Sequence, residues 1–370
     1  RFVEDKPIRV PLAAGRHLTI RGVGGTSGSP APPTVKFLVL DKSDSARGML
    51  ELDHGKLTLD NLQLEMTVDE DAETGDVAML RLAAGGVEHL ELSNCVLSVR
   101  RRMTGGAANP LAFIDVAPPP ITSVDGPADP MPAVLPINVE NCIARGEATL
   151  VRMRQSFPCD LVWRNGLCVT SERLLLAEGT ATPSGDASEG TLRLALEHVT
   201  VYAGQGLCLL RDSEQRPQQP PLELECSECI IVAAGADSLV KHDGVGEPSK
   251  YGQALFIKGS RNFYDGVDTF WRAVVGNVEQ DQWDWMAWRK RLAIEGMPSY
   301  AQPIRWRRDR AQVDAAPFHL QGIDDYALQP EESNPALRAK AGFDAATMPQ
   351  IIRSPVAETA PAAPPAPEAL

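Results

Sequence analysis

Aromatic residues are scarce in this chain, at 5% of 370 residues. That scarcity suits a narrow tube of stacked Leu, Val and Ile better than a core built around large rings. No run of about 18 apolar residues occurs, so no segment has the length of a membrane-spanning helix. Positive charge is outweighed, with 36 basic against 49 acidic residues and a net charge of −13. This argues against a nucleic-acid backbone binder, which depends on Lys and Arg to neutralise phosphates. Histidine is limited to His17, His54, His89, His198, His242 and His319, with no close pair of metal-site type. The patterns G-x-x-x-x-G-K-[ST] and G-x-G-x-x-G are missing. Gly24-Gly25-Thr26-Ser27-Gly28-Ser29 reads as a loop with no phosphate-binding helix behind it. No cofactor or metal is expected. The chain opens on Arg1, and Phe2-Val3 already reads as structured sequence, with no signal-like segment before it. It is expected to be part of a longer polypeptide, and its compartment stays open, with an extracytoplasmic or cell-surface location compatible.

What is present is a short pattern that keeps returning, apolar-x-apolar-x-(often Asn). Leu57-Leu59-Asn61, Leu90-Leu92-Asn94, Ile137-Val139-Asn141 and Leu161-Trp163-Asn165 carry it. Looser copies follow at Leu194-Leu196-His198, Leu224-Cys226-Glu228 and Ile257-Gly259-Arg261. The alternation of period two makes each unit a strand, and a recurrence within 20 to 50 residues makes the whole a repeat architecture. A second strand set interleaves with the first: Met49–Leu52, Met79–Leu82, Phe113–Val116, Leu150–Met153, Leu174–Leu176, Leu207–Leu210, Leu239–Lys241 and Phe270–Arg272. A third apolar run follows the Asn position, as in Val96–Val99 and Ile230–Val232. Three short strands per coil predict an all-β parallel β-helix. Asn suits a fixed bend because it tolerates left-handed backbone geometry, and stacked copies predict a partial Asn ladder. Each coil needs burial only against its neighbours, which lets so long a chain form one solenoid.

Seven cysteines accompany the repeat, at 95, 142, 159, 168, 208, 226 and 229. Cys95, Cys142 and Cys229 each follow a bend position and are expected to stack as small core residues. Cys226-x-x-Cys229 lacks the second ligand pair that a metal site needs.

These segments, Leu90-Glu91-Leu92-Ser93-Asn94-Cys95-Val96 above all, resemble the right-handed parallel β-helix repeats of the pectin-lyase-like superfamily, over roughly residues 15–275. Ala316-Pro317-Phe318, Asp324-Asp325-Tyr326-Ala327-Leu328 and Ser333-Asn334-Pro335-Ala336 are similar to the closing segment of bacterial β-helix proteins, written D-P-x-F, D-Y-x-L and S-P-A. Ala316 departs from the expected Asp, and Asn334 interrupts the Ser-Pro pair. The composition also resembles planctomycete-type proteins, in which such domains follow a kinase or a membrane anchor. The resemblance implies a fold and a closing style rather than a reaction.

The expected division is a β-helix over 1–275, a C-terminal capping segment over 276–354, and a disordered Pro/Ala-rich tail over 355–370. Long loops at 117–135, 178–190 and 211–221 interrupt the regular tube, and insertions of this kind are where binding is added. Five of six tryptophans fall between 271 and 306. Residues 281–292 read as an amphipathic helix with Asp at its start and basic residues at its end. A cap over the open solenoid end is the first reading of this cluster, and a platform for stacking sugars the second. Arg100-Arg101-Arg102 reads as a solvated bend, with an anion site as the alternative.

In the resembled family, polysaccharide chemistry runs along the outer face of the first strand of each coil, to which the second strand set corresponds. Its outward positions are Glu51, Arg81, Asp115, Arg152, Leu175, Leu209, Lys241 and Arg272. At about 4.8 Å per coil, Glu51-Arg81-Asp115-Arg152 forms a ladder of alternating charge. Glu51 and Asp115, about 9.6 Å apart over two coils, approach the separation of an inverting glycosidase. Arg81 between them would lower both carboxylates, where one must be raised to act as acid. The Asp-pair and Gly-His-Gly hydrolase signatures and the Trp-x-Asp-His type of calcium motif are missing. The ladder therefore reads first as cross-strand salt bridges. The second reading is a ligand groove using Glu51, Arg81, Asp115, Arg152, Lys241 and Arg272. The third is a catalytic site using Asp115 with Arg81 or Arg152. The leading expectation is a non-catalytic scaffold or recognition domain with a glycan or protein partner. The rival is a polysaccharide lyase or glycoside hydrolase. A third class, assembly into a fibre or coat, would follow from an open first coil.

Overall fold

Alternation along each strand fixes which side chains can meet in the interior, and the register between coils shows that they do. A computed structural model describes residues 2–23, 32–39, 47–69, 76–102, 111–118, 134–181, 190–233, 235–292, 298–331 and 333–351. The Gly24–Ser29 loop and the 355–370 tail lie outside these residues, as do most of the 117–135 and 178–190 loops. The chain is a parallel β-solenoid of about seven turns. The described strands form two sheets, one of 15 strands and one of ten.

The apolar pairs of the repeat stack row upon row. Leu59, Leu92, Val139, Trp163, Leu196, Cys226 and Gly259 are consecutive partners across the long sheet. Leu57, Leu90, Ile137, Leu161, Leu194, Leu224 and Ile257 form the row beside it. The bend after each pair is left-handed in all seven copies: Asn61, Asn94, Asn141, Asn165, His198, Glu228 and Arg261 have φ between 48° and 56°. The bend is tight enough that three coils carry their hydrogen-bond ladder through it, in strands Leu135–Gly146, Cys159–Thr170 and Leu192–Ala203. Among the described residues only one Asn–Asn bond forms, Asn165 Nδ2 to Asn141 Oδ1 at 2.8 Å. Asn61 donates to Gly22 O and Asn94 to Asp60 Oδ1. In the later coils a chain of side-chain contacts replaces the amides, His198 to Glu228 to Arg261.

All seven cysteines are buried and free. Cys95 and Cys142 are neighbours, the Cys95 N–H donating to Cys142 Sγ at 3.3 Å. Cys229 does not join them, because Gly166 and Val199 follow Cys142 in register. Gly166 is dictated by close approach, since a Cβ there would lie 2.0 Å from the indole nitrogen of the buried Trp163.

Two devices cover exposed edges. Strand Val278–Trp283 folds back antiparallel on Trp271–Val275 and ends the ten-stranded sheet. The helix that follows, Trp285–Arg291, is capped by Asp284, which accepts from the Ala287 N–H at 2.8 Å. It begins later than the sequence suggests because residues up to 283 are held in that strand pairing. Trp271, Trp283 and Trp288 are buried in the solenoid core, so they plug the end and offer no platform to a sugar. Residues 299–331 and 333–351 run sideways along the outer face of the third strands as a strap. Its Trp306, Val313, Tyr326, Ala336 and Met348 form a second core with Val96, Ile143, Leu167 and Ile230. The motif residues of the closing segment lock it down: Asp325 accepts from the Gly322 N–H at 2.8 Å, and the Tyr326 hydroxyl donates to Gln321 at 2.6 Å. Buried Arg145 ties strap to solenoid, donating to Ser98 Oγ and to the Gln321 carbonyl.

Candidate functional site

The ten-stranded sheet carries the candidate residues, and its register aligns Glu51, Arg81, Asp115 and Arg152 on successive coils. Leu176, not Leu175, continues the row, followed by Leu209, Lys241 and Arg272. Leu175 turns into the core because its partners Val151 and Cys208 are core residues.

The ladder is not the solvated face that alternation suggests. Asp115 is 0% exposed and Arg152 4%. Arg152 Nε donates to Asp115 Oδ1 at 2.7 Å, and Arg154 Nε reaches Oδ2 at 3.0 Å. Both guanidinium groups also contact Asp76, at 3.1 and 2.8 Å. Asp115 thus sits inside a four-residue ionic knot, its oxygens occupied by Arg152 and the unanticipated Arg154. Arg154 shares the outward parity of Arg152 two residues on, a signal the sequence carried. Arg81 stands between Glu51 and Asp115 in register. Glu51 pairs with Arg9 at 3.3 Å and accepts from the Gly48 N–H. Lys241 pairs with Asp237, and Arg272 with Glu279 and Asp237. The row therefore divides into ionic ends and a middle of Leu176 and Leu209. No group of three or more His, Cys, Asp or Glu side chains suited to a metal ion occurs among the described residues. In the Arg100–Arg102 run, Arg102 pairs with Asp69 and the Arg101 backbone N–H donates to Glu147.

Several hollows mark the surface of the described residues, one of about 350 Å³ lying beside Asp268, Thr269 and Gln282 and three others beside the solenoid's repeating rows. One of about 380 Å³ opens at the first coil and is lined almost wholly by apolar side chains such as Ile8, Leu18, Ile20 and Val35. A second, of about 670 Å³, lies between the bend ladder and the strap. Its polar groups are engaged: Asn165 bonds Thr347 and Asp344, and His198 Nδ1 meets the Lys340 carbonyl at 3.2 Å. The third, about 650 Å³, crosses the corners of four consecutive coils beside the ten-stranded sheet.

That corner groove has an organised floor. His242, 2% exposed, lines it and points inward between Lys241 and Asp243 on strand Val240–Gly244. The Trp271 indole N–H donates to His242 Nδ1 at 2.9 Å, which fixes the neutral tautomer with hydrogen on Nε2. Burial pushes the imidazole down to about 3, so it carries no charge near neutral pH. Tyr251, on the short helix Pro248–Gln253, stacks on His242 with ring centroids 5.0 Å apart. Its hydroxyl donates to Asp212 Oδ2 and accepts from the Gly246 N–H, while Val245 N–H donates to Asp212 Oδ1. Burial first, and then the bond to Asp212, raises the Tyr251 phenol above its ordinary range. Sequence reading passed over His242 as one of six scattered histidines. Its inward parity on an alternating strand was the available signal, since a buried polar group demands partners.

No protein-family model, curated protein or solved structure matches the chain. No described helix is long and apolar enough to cross a membrane.

Proposed function

We propose that the protein is a non-catalytic scaffold or recognition domain of a larger bacterial polypeptide, right-handed and pectin-lyase-like in kind, with a glycan or protein as partner. The observation that carries this reading is the state of Asp115. A general acid or base must reach its substrate within hydrogen-bond distance, and Asp115 is sealed from solvent with both oxygens on guanidinium donors. Among the other candidates on that face, Glu51, Lys241 and Arg272 are paired with neighbours of opposite charge.

Incubation with a broad glycan panel, with and without added Ca²⁺, tests the reading. Binding without new reducing ends or unsaturated products is expected. Depolymerisation that falls when Lys241 or Arg272 is replaced by Ala would establish the rival, a lyase or glycosidase on the outer sheet face. Assembly through the first coil is a second reading, favoured by its apolar hollow and opposed by the exposed Arg9 and Arg21 beside it, since charged residues blunt edge-to-edge pairing. Light scattering across a concentration series distinguishes the two.

A further inference from the structure

We infer that the corner groove is a binding site for an extended, uncharged, proline-containing peptide segment, anchored by a backbone carbonyl that accepts from His242 Nε2–H. This rests on the recognition reading above and gives it a site and a ligand class.

Three observations converge on it. First, the donor is built in. Trp271 holds Nδ1 as an acceptor, which leaves the hydrogen on Nε2, and no acceptor for that hydrogen occurs among the described residues. His242 lines the open groove rather than a closed core, so this donor is available to an acceptor that enters it. The floor is also rigid, because Asp212 pins both Tyr251 and the backbone at Val245. Second, the walls are neutral and largely apolar. Pro158, Pro217, Pro220 and Pro221 line them with Phe157, and the charged pair at the rim, Lys250 and Glu247, is self-compensated at 3.2 Å. Of the polar side chains between them, Ser156, Thr180 and Gln219 already donate to backbone carbonyls of the protein, which leaves few donors for the many hydroxyl groups of a glycan. A proline-containing peptide brings apolar rings, carbonyl acceptors and few N–H groups of its own. Third, the length fits. Four coils span roughly 14 Å at 4.8 Å spacing, about four or five residues of polyproline II chain at 3.1 Å each.

The probe is an acetylated and amidated nine-residue peptide of repeating Ala-Pro-Pro, titrated into the full chain labelled with ¹⁵N at histidine. The expected result is saturable binding that moves the His242 Nε2–H resonance. His242→Phe is expected to weaken binding at least 10-fold. Gln218→Arg, at an exposed rim position, should do the same by filling the groove while sparing the fold. Arg164→Ala, in a distant surface ion pair, should leave affinity unchanged. Equal affinity in wild type, His242→Phe and Gln218→Arg would move the site elsewhere and overturn the inference. A glycan that shifts the Nε2–H resonance where the peptide does not would overturn the ligand class and leave the recognition reading standing. Silence of that resonance toward peptide and glycans alike would overturn the site itself.

Discussion

Replacing Asp115 separates a structural knot from a catalytic centre by the sign of the stability change. In Asp115→Asn the shape is kept and the charge removed, which leaves Arg152, 4% exposed, facing a neutral amide. Breaking a buried ion pair by removing one partner costs about 3–5 kcal/mol. Asp76 remains to contact both arginines, but its side chain is 36% exposed, and a pair at that depth returns no more than about 1 kcal/mol. The expected loss is therefore about 3 kcal/mol, and larger for Asp115→Ala, which also opens a cavity. With a urea slope of about 3 kcal/mol per molar, the midpoint falls by about 1 M. A double replacement, Asp115→Leu with Arg152→Leu, should recover much of this, because apolar pairs often substitute for buried ionic ones without loss. Urea unfolding followed by circular dichroism measures all three. A catalytic carboxylate behaves in the opposite way, since active-site groups are commonly held at the expense of stability. Unchanged or increased stability in Asp115→Asn would refute the structural reading of the ladder.

The depressed imidazole of His242 makes stability fall on the acid side. The unfolded chain takes up its proton near pH 6.5 and the folded one only near 3, so the contribution is full above 6.5 and lost as pH drops toward 3. At pH 5 the loss is about 2 kcal/mol, and a His242→Gln variant should lack that component of the pH profile. Tyr326→Ala should cost about 3–5 kcal/mol, by analogy with buried aromatic truncations. It should free the strap first, seen as faster hydrogen exchange at Val96, Ile143 and Leu167 before the inner rows respond. All seven buried thiols should resist a thiol reagent in the native state. Burial raises six of them, Cys159, Cys208 and Cys229 up to about 12, and thiolate is the reactive form. Cys95, lowered by its hydrogen bond to Cys142, is protected by burial alone. Labelling of any of them faster than global unfolding would contradict the burial described.

Local geometry was legible in the sequence where it repeats. All seven bend positions were visible because a left-handed residue after two inward side chains recurs, and even Glu228 and Arg261, poor αL formers, were placed by period alone. What was not legible depends on partners far along the chain. The strap is the main case, although a trace of it existed: Val96-Leu97 and Leu167-Cys168-Val169 are apolar at both parities, the mark of a strand covered on both faces. Asp115 was found and its environment was not, because parity gives direction but not what lies above the sheet. His242 was missed for the opposite reason, since its chemistry is set by Trp271 and Tyr251, 29 and nine residues away in sequence.

The two ends of the outward row and its middle explain why recognition would sit at a corner. Where the row is charged, Glu51, Asp115, Arg152, Lys241 and Arg272 are each met by a neighbour of opposite charge, so these groups are already engaged within the protein. Where it is uncharged, at Leu176 and Leu209, the corners of the same coils supply the groove through Thr180 and Pro217–Pro221. Regular coils cannot vary their inward rows without losing stacking, whereas corner loops carry no such constraint. Specific chemistry on this solenoid is therefore expected where a corner loop reaches the end of an inward row. His242 occupies such a place, in the inward row of Leu210 and Ala273 and at the floor of the corner groove.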